Sequence, residues 1–210
     1  MDGSKHHLII RGSRRYARAF NELLGIEGGF VDDPVDRGGA TKYGISLRFL
    51  IAEGSIDRDA NGFADYDLDM DGDIDGRDIR RLTLDDAFRL YKECFWDRLD
   101  CESFPEPVGE MMFDQGVNGG LHAARVLLQR ALNQLLAETR RNTLLVDGKV
   151  GEKTRRALDT VLRCPLLGMT AFVEAYRHAV KQRYHAIVRS NPSQRRFLKG
   201  WLNRADRLGA

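Results

Sequence analysis

The chain has 210 residues, of which 42% are hydrophobic, and a formal net charge of +2. That length allows one sizeable core or two small lobes sharing a cleft, and a near-neutral balance supplies no global field for nucleic acid. No run reaches the ~18 apolar residues of a membrane span, the N-terminus lacks the apolar centre of a signal peptide, and three Cys make no disulfide framework. Synthesis in the cytoplasm, with later release or export, is the expectation, as is a monomer. Charge is segregated along the chain. Nine Asp lie between Asp57 and Asp78 against Arg58 and Arg77, and eight Lys or Arg lie between Lys181 and Arg207 against Asp206. One local cation-binding job and one anion-facing job follow from that pattern.

In chain order, "YARAFNELLGI" from Tyr16 to Ile26 has helical spacing and is closed by Gly25, Gly28 and Gly29. The stretch up to Ser46 is rich in turn formers and reads as a short hairpin or ribbon. Ser46 caps a helix over "LRFLIAEG", and Thr83 caps another over "TLDDAFRLYKECFW", with acids in its first turn. "VGEMMFDQGVNGG" and "LHAARVLLQRALNQLLAE" are two helices split at Gly119 and Gly120. "TRRNTLLVDGKVG" is a loop. Three further helices follow, the last opening at Asn191 and Pro192 as cap and first-turn Pro. The fold class is therefore mainly α, with a small β element close to the first helix.

Glu27 stands just beyond that first helix. A helix C-terminus carries partial negative charge, and burial disfavours an ionised carboxylate; both raise a pKa. A Glu that keeps its proton near neutrality is what protonation of a glycosidic oxygen needs. The following glycines let the backbone turn sharply beside a bulky substrate. Asp36 comes nine positions later and Thr41 five after that. A ribbon folding back past the helix end would set both across a cleft from Glu27, Asp36 to stabilise positive charge or activate water and Thr41 to orient that water.

"IEGGFVDDPVDRGGATKYGIS" closely resembles the signature of glycoside hydrolase family 108, the N-acetylmuramidases found as phage endolysins and secretion-activator lysozymes. The resemblance continues through "LTLDDAFRLYKECFW", "MFDQGVNGG", "AARVLLQRALN", "DGKVGEKTRRAL" and "FLKGWLNR". It implies a lysozyme-like fold with Glu27 as the essential acid, hydrolysing the β-1,4 bond between N-acetylmuramic acid and N-acetylglucosamine in peptidoglycan. Phage-type lysozymes use an ordered Glu, Asp, Thr trio; here the gap from Asp36 to Thr41 is one residue shorter, so Asp33 is the rival second carboxylate. The pattern in "DGKVGEKT" resembles peptidoglycan-binding segments. Residues 1–104 are thus the expected catalytic region and 105–210 a helical region carrying that segment. A lytic transglycosylase using Glu27 alone, or a non-catalytic wall-binding or secretion-accessory protein, are the alternatives.

Asp114 and Asn118 fall four apart on one helix face and are candidates to line a sugar cleft; local hydrogen bonding at the helix end is the competing role. Tyr43 and Trp96 are candidates for stacking on sugar rings, with core packing as the alternative. "DLDMDGDIDGRD" matches a calcium loop: Asp67, Asp69 and Asp71 at positions 1, 3 and 5, Gly72 at 6, the Asp73 carbonyl at 7, Ile74 at 8 and Asp78 at 12. One structural Ca²⁺ is expected over an insertion spanning 57–78. "DRDANGFADYDL" repeats the start with Asp57, Asp59 and Asn61, but Leu68 at position 12 cannot ligate, so a second ion there is the weaker expectation. The last helix carries Phe197, Trp201, Ala205 and Leu208 on one face and Arg195, Arg196, Lys199 and Arg207 mostly on the other. Such a helix either closes the core or also attracts an anionic surface, outer-membrane lipid or wall polymer.

Overall fold

The computed structural model describes residues 13–25, 40–58 and 60–210. Glu27, Asp33, Asp36 and Asp59 lie outside the described residues. The chain divides into two compact units, Met1–Asp97 and Arg98–Ala210.

The N-terminal unit opens with α1, Arg14–Leu24, whose first turn is capped by the Ser13 hydroxyl accepting from Tyr16 N. Gly25 ends it with φ +62, a left-handed conformation that glycine adopts without a Cβ penalty. Strands β1 (Thr41–Lys42) and β2 (Ile45–Ser46) pair antiparallel, Thr41 opposite Ser46 and Lys42 opposite Ile45. Ser46 then caps α2, Leu47–Gly54, by accepting from Phe49 N. Helix α3, Gly76–Arg81, starts with a capping box between Asp75 and Asp78, and α4, Leu84–Tyr91, with one between Thr83 and Asp86. Each such cap is worth about 1 kcal/mol, which matters most for helices this short. After α4 the chain widens into a π-helical turn, Lys92–Trp96, where the sequence alone suggests a continuous α-helix.

An aromatic cluster holds this unit together. Tyr16 and Phe20 of α1 meet Phe88 of α4 at ring distances of 4.6 and 5.1 Å, and Tyr16 lies 5.3 Å from Trp96. The Tyr16 hydroxyl, fully buried, donates to the Phe88 carbonyl at 2.6 Å. Burial, then the Asp97 carboxylate, raises the Tyr16 pKa, so the phenol stays a donor. Trp96 is 2% exposed. It is a core residue and cannot stack on a substrate.

The C-terminal unit is helical in all its regular elements. Helices α5 (Val108–Gly119) and α6 (Leu121–Glu138) are separated at Gly120, φ +87, where the sequence breaks them. They are followed by α7 (Glu152–Arg163) and the long α8 (Gly168–Ser190). Helix α8 packs against α6, α7 and the last helix, α9 (Leu198–Arg207), while α5 packs on α6. Residues Pro192–Phe197 form a 3-10 helix, so the last helical stretch is in two parts. Asn191 makes no side-chain cap there; its Oδ1 accepts from the Ser193 hydroxyl instead. Among the described residues no helix is long and apolar enough to cross a membrane.

Candidate functional site

The hairpin between β1 and β2 is turned by Tyr43 and Gly44, at φ +52 and +76. Two left-handed residues are what a two-residue hairpin needs to match strand twist. Gly44 suits this without cost, and a Cβ there would come 2.7 Å from the Tyr91 hydroxyl. Tyr43 does not suit it. A left-handed non-glycine residue costs roughly 1–2 kcal/mol, and such strain gathers at functional positions. The Tyr91 hydroxyl fixes the turn by donating to the Tyr43 carbonyl at 3.2 Å, and Lys42 Nζ stands 5.5 Å from the Tyr43 ring centre. The ring is half-buried. Thr41 and Tyr43, two of the expected site residues, therefore share one short hairpin directly after the glycine-rich stretch.

Asp114 and Asn118 lie on one face of α5, as their spacing suggests. Asn118 Nδ2 donates to the Asp114 backbone carbonyl at 2.7 Å. The Asp114 carboxylate is held by Arg204 of α9, from Nε at 2.9 Å and Nη2 at 2.6 Å, and by Gln115 Nε2 at 2.9 Å. Gln115 is fully buried and also donates to the Tyr184 hydroxyl at 3.2 Å. Sequence reasoning missed this network, since ninety residues separate its ionic partners.

The calcium-like loop gathers three of its expected ligands. Carboxylate oxygens of Asp67, Asp69 and Asp71 lie within 4.8 Å of one another. Asp67 is folded inward by accepting from Asp71 N (3.1 Å) and Gly72 N (2.8 Å). Asp71 accepts from Asp73 N at 3.3 Å, and Gly72 takes φ +101. The Asp69 side chain is 7% exposed; its Oδ2 lies 3.8 Å from Arg77 Nε and from Arg81 Nη2, and its Oδ1 is buried without a hydrogen-bond partner among the described residues. A buried carboxylate oxygen left unpaired is costly unless a cation meets it. Burial, then the Asp71 and Asp78 charges, raises the Asp69 pKa. Asp73, pressed first by Asp71, is raised too.

Asp78 has a structural duty in the loop. It is fully buried, and its two oxygens accept from Leu68 N and Asp75 N, both at 2.7 Å. It closes the loop and caps α3, and it stands outside the three-carboxylate cluster. Ile74, the apolar residue at position 8, lines a recess with Ile51 and Ala64.

The upstream segment repeats this backbone. Asp57 accepts from Asn61 N (3.2 Å) and Gly62 N (3.0 Å), and Asn61 accepts from Phe63 N (2.8 Å). Ala60 and Met70 have φ +58 and +57; Gly62 and Gly72 have +92 and +101. Among the described residues, the two loops share these hydrogen bonds and positive φ angles at matching positions. In the upstream copy Arg58 binds Asp65, at 2.8 Å through its backbone nitrogen and 2.7 Å through its guanidinium.

In the C-terminal unit the turn Asp147–Gly148 is gripped by Gln129, which is 1% exposed. Its Nε2 donates to Asp147 Oδ1 (2.9 Å) and the Lys149 carbonyl (3.1 Å), and its Oε1 accepts from Gly148 N (2.8 Å). Gly148 has φ +71, and a Cβ there would collide with His122. The "DGKVG" segment is thus a rigid, buried-anchored turn at the entrance to α7.

Residues 20–120 match the family model described as glycosyl hydrolase 108. That similarity spans 101 of the 210 residues. Residues 123–206 match the model described as a "predicted peptidoglycan domain", which covers α6 through most of α9. The structure is similar to SagA of Brucella abortus, with a TM-score of 0.64 and 23% identity over 94% of this chain and 92% of that one. That likeness establishes the fold. No curated protein matches the chain. The glycosyl hydrolase 108 match runs from α1 through α5 and so includes the hairpin, both acidic loops and Asp114. A peptidoglycan domain implies action at the cell wall.

Proposed function

We propose that this glycosyl hydrolase 108 domain is a lysozyme-like muramidase that cleaves peptidoglycan between N-acetylmuramic acid and N-acetylglucosamine, as endolysins do. The observation that carries the reading is one chain holding a glycosyl hydrolase 108 domain directly followed by a peptidoglycan domain. Protonated Glu27 gives its proton to the glycosidic oxygen, freeing the hydroxyl of the leaving sugar. Asp36 (or its rival Asp33) supports the positive charge that develops at the muramic acid C1 or activates the water that adds there. Thr41 orients that water. Tyr43 offers an aromatic face to a sugar ring. Residues 1–104 carry the chemistry and 105–210 hold the wall.

The test is hydrolysis of purified peptidoglycan with mass spectrometry of the released fragments. Reducing muramic acid ends are expected, and Glu27→Gln is expected to abolish them with little change in melting temperature. Anhydro ends would assign a lytic transglycosylase instead. Retention on the wall without any cleavage would leave a binding protein.

We propose further that the loop Asp67–Asp78 holds one Ca²⁺. An all-oxygen donor set suits a hard cation, Gly72 has the required turn, and the orphaned Asp69 oxygen supplies the need. The ion would cross-link the loop and take no part in bond cleavage. Binding to the folded state alone adds about 2.7 kcal/mol at a hundred times Kd, so chelation is expected to lower the melting temperature by several degrees. Asp67→Ala combined with Asp71→Ala should remove that difference.

A further inference from the structure

Helix α3 belongs to two structures at once. Outward, it presents arginines to the carboxylates that an ion would need. Arg77 Nη2 pairs with Asp71 Oδ2 at 2.5 Å, and its Nε lies 3.1 Å from Asp75 Oδ2 and 3.8 Å from Asp69 Oδ2. Arg81 Nη2 lies 3.8 Å from Asp69 Oδ2, while its Nη1 donates to the Leu68 carbonyl at 3.0 Å. Asp69 Oδ1, on the side chain that is 7% exposed, still has no hydrogen-bond partner among the described residues. The guanidinium groups therefore compete for the cluster without satisfying it.

Inward, the same helix is bolted to the hairpin. Ile79 is fully buried. A Cβ at Gly76 would touch the Ala40 Cβ at 3.9 Å, and Lys42 Nζ donates to the Arg80 carbonyl at 2.6 Å. Helix α3 packs on β1 and on α2, and α2 begins at the end of β2, where Leu47 N donates to the Ala40 carbonyl at 2.9 Å. At its first turn Asp78 ties α3 back to Leu68, inside the loop. Helix α3 thus connects the loop to Ala40 and Lys42, on either side of Thr41.

We infer that the Asp67–Asp78 loop is a calcium-responsive control element for the hydrolase site: Ca²⁺ entering among Asp67, Asp69 and Asp71 displaces Arg77 from Asp71 and resets α3 against the Thr41–Ser46 hairpin. This rests on the muramidase and calcium readings above and adds regulation to them. The physical reason is direct competition. A dication needing six to eight oxygens and a guanidinium already on one of them repel each other, so each ion bound releases an arginine. Arg77 accordingly sets the calcium concentration at which the loop fills. Lys42 carries the result to the strand.

The experiment uses the full chain, titrated with Ca²⁺ and, as a control, Mg²⁺. Calcium binding is followed by calorimetry, hairpin order by hydrogen exchange at residues 41–46, and activity by peptidoglycan hydrolysis. Calcium is expected to slow exchange in the hairpin and to raise hydrolysis with one shared midpoint. Arg77→Gln should tighten binding about fivefold, the size of one unit-charge interaction at ~4 Å in water. Lys42→Met should keep the calcium binding and lose the hairpin response. Calcium that binds without altering hairpin exchange overturns the inference, and so does Arg77→Gln binding no tighter. Full hydrolysis in chelator also overturns it while leaving the muramidase reading intact. A hairpin response to calcium, tightened by Arg77→Gln in a protein that never cleaves wall, supports the coupling and removes the muramidase reading.

Discussion

Arg204 grips Asp114 across ninety residues of sequence, its Nε and Nη2 at 2.9 and 2.6 Å from one carboxylate oxygen. The pair joins α5 to α9, and the buried Gln115 adds its own bond to the same carboxylate. Asp114 is 17% exposed and Arg204 36%, so water screens the pair only in part. Charge-assisted bonds of this kind contribute roughly 1–3 kcal/mol, with the lower half of that range expected at this exposure.

Arg204→Ala is therefore expected to lower the melting transition of the C-terminal unit by a few degrees, and Asp114→Ala by a similar amount. The double variant should cost less than the sum of the two, since each single change already breaks the same pair. Wall cleavage decides the second role given to Asp114. If both variants lose the same share of hydrolysis, Asp114 acts by holding α9. A loss confined to Asp114→Ala assigns its carboxylate to the sugar.

The features legible in the sequence are those built from near neighbours. Ser46 and Thr83 cap the helices they precede because a hydroxyl reaches an amide three residues on. Gly120 divides α5 from α6 because its left-handed φ breaks the helical path. The spacing of Asp67, Asp69, Asp71 and Gly72 carries its loop geometry within six residues. Long-range partners decide the rest. Nothing near Tyr43 announces a left-handed tyrosine; Tyr91, forty-eight positions away, holds that turn. Trp96 looks equally fit for a sugar face or a core, and Tyr16 decides for the core. Asp78 reads as a ligand by position, and the sequence does not show that its oxygens also accept from Leu68 N and Asp75 N.

Tyr43 separates stability from function. Replacing it with Asn creates Asn-Gly, the pair best suited to a two-residue hairpin with both residues left-handed. The change relieves strain of roughly 1–2 kcal/mol, less the packing lost with a half-buried ring. Tyr43→Asn is expected to leave the N-terminal unit at least as stable by thermal melting while lowering peptidoglycan hydrolysis several-fold. An increase in KM with little change in kcat would fit a ring that binds sugar equally before and in the transition state. Unchanged kinetics would remove Tyr43 from the substrate site.

The final helical segment presents a basic surface. Arg195, Arg196 and Lys199 are exposed, and the Arg196 guanidinium lies 4.6 Å from the Phe197 ring centre. Phe197 is 42% exposed and stacks on Trp201 at 6.0 Å, and Trp201 in turn meets Tyr184 at 5.3 Å. The apolar face thus closes progressively, from exposed Phe197 to fully buried Ala205, so packing uses its far end and leaves its near end open. We propose that this near end, with its three cations, attracts anionic wall polymer or outer-membrane lipid. Replacing Arg195, Arg196 and Lys199 together by Gln leaves Glu27 and the buried contacts of α9 in place. Cosedimentation with whole walls, and with anionic vesicles, is expected to weaken for the variant at low salt. The two proteins should converge as salt shortens the reach of exposed charges to about 8 Å at physiological ionic strength. Cleavage of small soluble glycan fragments should not change, because such substrates need no surface to hold them. Equal binding by variant and parent at every salt concentration would leave these residues no role in association.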